Sequence, residues 1–201
     1  MFFHISGAEK FVKSSFQNEE EATFIAYLYK ELQKSIGKEV NVHDYCGIIT
    51  PYSRQVKEIR RKIKVIENLE KCPLEVNSVD GYQGREKNMI IFSTVRASQI
   101  ALEQTGQEDK IVKNNRKKIG FLNDARRMNV SLSRAKACLI VIGDLNQLRH
   151  HQKWKNLMDI AVEQDSCYQV KGKAQNFLSK FSKNPETFKI KNLEDIVDVR
   201  N

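Results

Sequence analysis

Residues 138–142 read Cys-Leu-Ile-Val-Ile, five apolar side chains in a row, closed by Gly143 and Asp144. An unbroken run of that length does not alternate as a half-exposed strand would, so it reads as a strand covered on both faces. Further candidate strands stand at 2–5, 45–50, 74–79 and 89–95, and another at 167–170. Helical spacing fills the intervals. Asn18 before three glutamates marks a helix start with Glu21 at the capping-box position, and Phe24, Leu28, Leu32 and Ile36 recur every four residues until Gly37. Thr50 and Pro51 look like a cap and a first helical residue, followed by a stripe of Val56, Ile59, Ile63 and Ile66. Leu145 to Leu148 suggests a short turn or helix. Later stripes are Trp154, Leu157, Met158 and Ala161, and then Phe177, Leu178 and Phe181. Strands alternating with helices predict an α/β fold with a parallel sheet and helices on both faces. Ligands of such sheets sit at the carboxyl ends of the strands, where Thr50, Ser78 and Arg96 fall.

A chain of 201 residues with 40% hydrophobic side chains has enough apolar material for one globular core. Its net charge of +9 favours an acidic partner such as nucleic acid. Cys46, Cys72, Cys138 and Cys167 form no CxxC pair and read as reduced thiols. The four histidines offer no metal spacing, so no metal site is expected, and His150–His151 reads as a solvated helix end. No apolar stretch approaches a membrane span, and the opening MFFHISG reads as a first strand rather than a signal peptide. Residues 98–118 are polar and end in a basic cluster, so they read as a mobile insertion. That leaves open whether the segment is disordered or grips a phosphate backbone. The helix at 56–66 carries Lys57, Arg60, Arg61, Lys62 and Lys64, a charge run equally compatible with a solvated face and a nucleic-acid contact.

Arg126, Arg127 and Arg134 lie just before the 138–142 strand. Guanidinium keeps its charge and is costly to bury unpaired. These arginines therefore pair with acids of the same domain or clamp a phosphate. The glycines at 81 and 84 are not followed by the Gly-Lys-Ser/Thr of a phosphate loop. Asp144 ends a strand as a Walker B acid would, but without that loop it reads as a helix cap.

Three segments resemble the motifs of superfamily 1 helicases, in the family's order. RRMNVSLSRAK at 126–136 resembles motif VI, VNSVDGYQGREKNMIIFSTVRA at 76–97 resembles motif V, and GIITPYSRQ at 47–55 resembles motif IV. The resemblance spans roughly residues 1–169 and points to the branch of senataxin and the nonsense-mediated-decay RNA helicase. It implies the second RecA-like domain of a superfamily 1B helicase, at 1–171, with a C-terminal extension at 172–201, partly helical or disordered. In that family ATP and magnesium are held mainly by a first RecA-like domain. The second domain supplies an arginine finger, which the resemblance places at Arg134. It places the ribose acid at Glu86, beside Gly84, and the adenine-stacking ring at Tyr52. Gln55 takes the motif IV position, but Val56 stands where some relatives carry a base. Arg126 and Arg127 support the ATP cleft. Ser78, with Thr50 and Arg96, would contact the backbone of single-stranded RNA or DNA. The implied activity is 5′-to-3′ unwinding of RNA or RNA–DNA duplexes, in the nucleus, by a monomeric unit inactive alone as an ATPase. Two alternatives stay open: a free-standing RecA-like module that binds RNA without catalysis, and a degenerate domain kept for protein contacts.

Overall fold

The computed structural model describes residues 1–37, 39–97, 99–100 and 120–196. The central sheet holds β1 (Phe2–His4), β4 (Cys46–Thr50), β5 (Glu75–Ser78), β6 (Lys87–Ser93), β8 (Ala135–Gly143) and β9 (Cys167–Gln169). Their order is β5-β4-β6-β8-β1-β9, and every pairing is parallel. Parallel neighbours need crossovers, and the crossovers carry the helices. On one face lie α1 (Glu19–Ile36), α3 (Ser53–Glu67) and α7 (Ala174–Phe181), packed through Ile25, Ile59, Ile63 and Phe177. On the other lie α4 (Ala125–Leu132), α5 (Leu145–Leu148) and α6 (Gln152–Glu163), packed through Met128, Leu148, Trp154 and Met158. Ile48 and Ile49, or Ile140 and Val141, are neighbours in sequence that enter opposite cores. That is why the strands read as unbroken apolar runs. The RecA-like α/β reading therefore stands. A short helix, α2 (Val42–Tyr45), leads into β4.

A second sheet is absent from the sequence reading. β2 (Ala8–Val12) and β3 (Ser15–Asn18) form an antiparallel hairpin, and β7 (Gln99–Ile100) adds to β2 in parallel. The hairpin turns on Lys13 and Ser14, both with positive φ, at 46° and 67°. That is the geometry of a tight two-residue turn, built here without the Asn-Gly or Asp-Gly that usually signals it. The remainder of the 98–118 insertion lies outside the described residues, as do residues 197–201.

Two helix starts differ from expectation. Thr50 ends β4 instead of capping α3; Tyr52 holds the cap position, with no side-chain cap bond. At α1, Asn18 Oδ1 accepts the Glu21 N–H at 3.1 Å, as expected. The reciprocal half of the capping box is missing, because the Asn18 N–H donates to Gln55 Oε1 at 2.8 Å and Glu21 is used elsewhere. Past β9 the chain stays packed. Ile190, Leu193 and Ile196 are buried in the second core, and Arg149 donates to the Leu193 carbonyl at 2.9 Å.

Candidate functional site

The sequence-selected residues divide between two ends of the sheet. At the carboxyl ends of β4 and β6 they meet a buried polar network. Arg96, just past β6, is 3% exposed. Its Nε donates to Glu9 Oε2 at 2.7 Å and its Nη2 to Oε1 at 3.2 Å, a fork on a carboxylate supplied by β2. The guanidinium also lies 4.5 Å from the centre of the Phe16 ring. Burial by itself pushes this guanidinium down, and Glu9 and Tyr52 together more than offset it, leaving it above its ordinary value. The Glu21 carboxylate, wholly buried, accepts from Ser93 Oγ at 2.6 Å and from the Val95 N–H at 3.0 Å. Burial pushes it up to about 8, against the lowering pull of those two donors. Val95 has φ of 70°, a costly conformation for a β-branched residue. Glu21 holds its N–H, and Asn18 Nδ2 holds its carbonyl at 3.3 Å.

Gln55 completes this network. It is fully buried; its amide donates to the Asn18 carbonyl at 3.1 Å and to Ser93 Oγ at 3.0 Å, while its oxygen takes the Asn18 N–H. Three of the residues selected from the sequence are thus engaged or enclosed within this unit. Gln55 spends its carboxamide inside the protein, Arg96 is committed to Glu9, and Thr50 is wholly buried. In this arrangement the polar groups of Gln55 and Arg96 are engaged by residues of the hairpin sheet, and the Thr50 side chain is buried. Tyr52 is half-buried, its ring packed edge-on against Phe16 at 5.4 Å and 75°. Burial raises its phenol, with Arg96 opposing. Ser78 pairs in register with Thr50 at the end of β5 and is partly exposed; its Oγ accepts the Gly81 N–H at 3.2 Å, which shapes the turn after the strand.

That turn leads to the opposite end of the sheet. The crossover from β5 to β6 is a single 3-10 turn, Asp80–Tyr82, with Tyr82 buried against Gly47 of β4 so closely that any side chain at position 47 would collide with its hydroxyl. Gly84 follows at φ of 72°, where glycine avoids a penalty. Glu86 then emerges at the amino end of β6, exposed, with Lys136 Nζ at 3.6 Å. Its neighbour Lys87 pairs with Ala135, and the Lys87 N–H donates to the Arg134 carbonyl at 3.1 Å. Gly84, Glu86 and Arg134 are thus brought together at the amino ends of β6 and β8, away from the carboxyl ends where ligands were expected. Arg134 is partly exposed. Its Nε donates to the Val130 carbonyl in the last turn of α4 at 3.0 Å, and no acid pairs with it among the described residues.

α4 links the two ends. Asp124 caps it, accepting from the N–H groups of Arg126 and Arg127 at 2.9 and 3.3 Å. Both arginines are exposed at its first turn, with Arg127 Nε 3.8 Å from Asp124 Oδ2. Arg134 lies beyond its last turn, so the three arginines do not form one clamp. Asp144 is the cap expected for α5, accepting from Asn146 and Gln147 at 2.9 and 3.3 Å.

Sequence reasoning missed Glu9 and Phe16. Nothing in the pattern of residues 8–12, Ala-Glu-Lys-Phe-Val, alternates to mark the strand that delivers Glu9. The exposed donor set at Arg134 and the acceptor at Glu86 suit a phosphate and a sugar hydroxyl respectively. They do not suit a metal by themselves, since no group of three or more His, Cys, Asp or Glu converges among the described residues. Nor is any helix among them long and apolar enough to cross a membrane.

Such a six-stranded parallel sheet with helices on both faces is an α/β RecA-like unit. Comparison with known proteins sharpens that class. A family profile described as an AAA domain matches residues 1–146. The chain is 34% identical over 182 residues to the probable helicase MAGATAMA 3 of Arabidopsis thaliana, covering 90% of this chain and 20% of that protein. It is 33% identical over 162 residues to the helicase sen1 of Schizosaccharomyces pombe, covering 80% and 9%. It is 34% identical over 191 residues to a putative regulator of nonsense transcripts 1 of Takifugu rubripes, covering 91% and 15%. The chain belongs to this family, the senataxin and nonsense-mediated-decay branch of superfamily 1B helicases. It spans a fifth or less of the length of these relatives.

Proposed function

We propose that this chain is the second RecA-like unit of an ATP-dependent helicase that moves 5′ to 3′ along single-stranded RNA or DNA and opens RNA or RNA–DNA duplexes. The observation that carries the reading is the pairing of Glu86 and Arg134 at one exposed edge, fixed by the Lys87–Arg134 backbone bond. ATP with magnesium, held mainly by a first RecA-like unit of the same protein, supplies the phosphoryl group whose loss drives the motor. Arg134 reaches across to that group, its side chain steered by the Val130 carbonyl, and stabilises the charge that develops there. Glu86 accepts from the ribose hydroxyls and Gly84 lets the backbone approach; Tyr52, past the carboxyl end of β4, stands apart from this cluster. Arg126 and Arg127 add positive potential along the cleft. Ser78 touches the backbone of the nucleic acid without reading its sequence. The unit acts as a monomer beside its first domain, and the likeness to sen1 and senataxin favours a nuclear setting.

A finger of this kind contributes roughly 10³ to 10⁵ in rate, or about 4 to 7 kcal/mol of barrier. The test begins with the native product, detected in its own cells with an antibody against this segment. A product far heavier than 23.3 kDa that hydrolyses ATP on nucleic acid, and loses roughly 10³-fold or more on Arg134→Ala, supports the reading. Undiminished turnover in that variant removes Arg134 from the role. A product of this chain's own mass favours the free-standing binding module.

A further inference from the structure

β5 is an edge strand, and its outer side is not left bare. Arg60 reaches over from α3 and donates to the Val76 carbonyl at 2.6 Å and to Asn77 Oδ1 at 3.4 Å. Beside it runs an open groove of about 760 Å³, whose basic lining is Arg60, Lys64, Lys71 and Arg85. Two acids also line it. Glu75 is bound to Arg85, while Glu70 is exposed. Lys64 and Lys71 are exposed and pair with no acid among the described residues. The groove therefore carries an excess of cations, of which Lys64 and Lys71 have no acidic partner among the described residues. Gly81 lines one part of it, and the Gly81 N–H donates to Ser78 Oγ. The groove is thus continuous with the turn that presents Ser78. None of its lining side chains is aromatic, so it offers no platform for stacking bases.

We propose that this groove carries the sugar-phosphate backbone of single-stranded nucleic acid past Ser78 and off the edge of β5, holding it through Lys64, Lys71 and Arg60 without reading sequence. The inference rests on the nucleic-acid role of Ser78 proposed above and lengthens that track. Backbone neutralisation by point charges predicts a measurable salt signature: for single strands, the slope of log affinity against log salt is about −0.7 for each phosphate contacted.

The test measures binding of labelled oligouridine to this chain across a salt series. One strand is short enough to reach only the Ser78 turn; the other is long enough to enter the groove. Wild type is compared with Lys64→Ala/Lys71→Ala and with a control that removes two exposed charges elsewhere, Lys153→Ala/Lys180→Ala. Thermal melts establish that all three are folded. The expected result is a weaker affinity for the long strand in the groove variant, with its slope shallower by about 1.4, and no change for the short strand or in the control. An unchanged slope in the groove variant, with wild type binding both strands, overturns the groove while leaving the Ser78 reading intact. An equal loss in the control also overturns it, by assigning the effect to net charge. If wild type binds neither strand, the nucleic-acid reading falls and the groove with it.

Discussion

The two ends of the parallel sheet treat charge in opposite ways. At the carboxyl ends, Arg96, Glu9, Glu21 and Gln55 are buried and satisfied by one another. At the amino ends of β6 and β8, Glu86 and Arg134 remain open to solvent, with a lysine at 3.6 Å and a backbone carbonyl as their respective neighbours. In a buried network each partner's loss strands another charge, so its members are fixed by stability. In an exposed cluster no such penalty holds the residues in place, and their arrangement is free to serve a ligand. Polar side chains near the end of a strand are thus not equivalent. What separates them is whether another element closes over them, and here the hairpin of β2 and β3 does so at one end only.

Mutations at the two ends should separate along this line. The largest effect on stability is expected from Glu9→Ala, which leaves the Arg96 guanidinium buried and unpaired at a cost of roughly 3 to 5 kcal/mol. In a domain of this size that lowers Tm by roughly 6 to 20 °C, as read by calorimetry; a fall of a degree or two would mean that the network is not what fixes these residues. Glu21→Gln comes next and acts through pH. Burial holds the Glu21 carboxyl at about 8, above its ordinary 4.5, so the folded state keeps a proton that the unfolded chain releases. The stability tied to that proton is full below about pH 4.5 and is lost as pH rises through about 8. The wild-type protein should therefore lose stability relative to Glu21→Gln over that interval, by an amount of the order of a few kcal/mol. Parallel pH profiles for the two proteins would show that Glu21 is ionised in the fold throughout. The smallest effect belongs to Lys136→Ala at the open end. Its pair with Glu86 is exposed on both sides, and such pairs contribute about 0 to 1 kcal/mol, so the melting curve should move by no more than a few degrees.

Much of the fold was legible because burial writes itself into sequence. Residues 138–142 enter two cores by turns and leave no alternation, and the stripe Val56, Ile59, Ile63 needs only the period of a helix. The cap at Asn18 was readable for the same local reason. The partner of Glu21 was not, because Ser93 and Val95 lie more than seventy positions away and nothing local marks them. The hairpin escaped because its turn is built from Lys13 and Ser14, residues that usually resist positive φ. That single omission hid the partner of Arg96: with Glu9 unseen, a buried ion pair and a ligand contact look alike in one dimension. Arg134 and Glu86, by contrast, were singled out by motif, and the register of β6 against β8 places them side by side.

The position of β1 has a consequence in time. Its residues 2–4 lie between β8 and β9, hydrogen-bonded in register with residues 141–143 and 167–169. Within this unit β1 therefore leaves the ribosome well over a hundred residues before either of the strands that flank it. At roughly 5 to 20 residues per second that wait lasts on the order of ten seconds or more. Throughout it, Phe2 and Phe3 are an apolar segment without a place to go, and both edges of the strand are open to pairing with other chains. The sheet closes only once β9 has been made, so the burden of keeping this segment from aggregating falls on the nascent chain's surroundings and not on the fold it will eventually join.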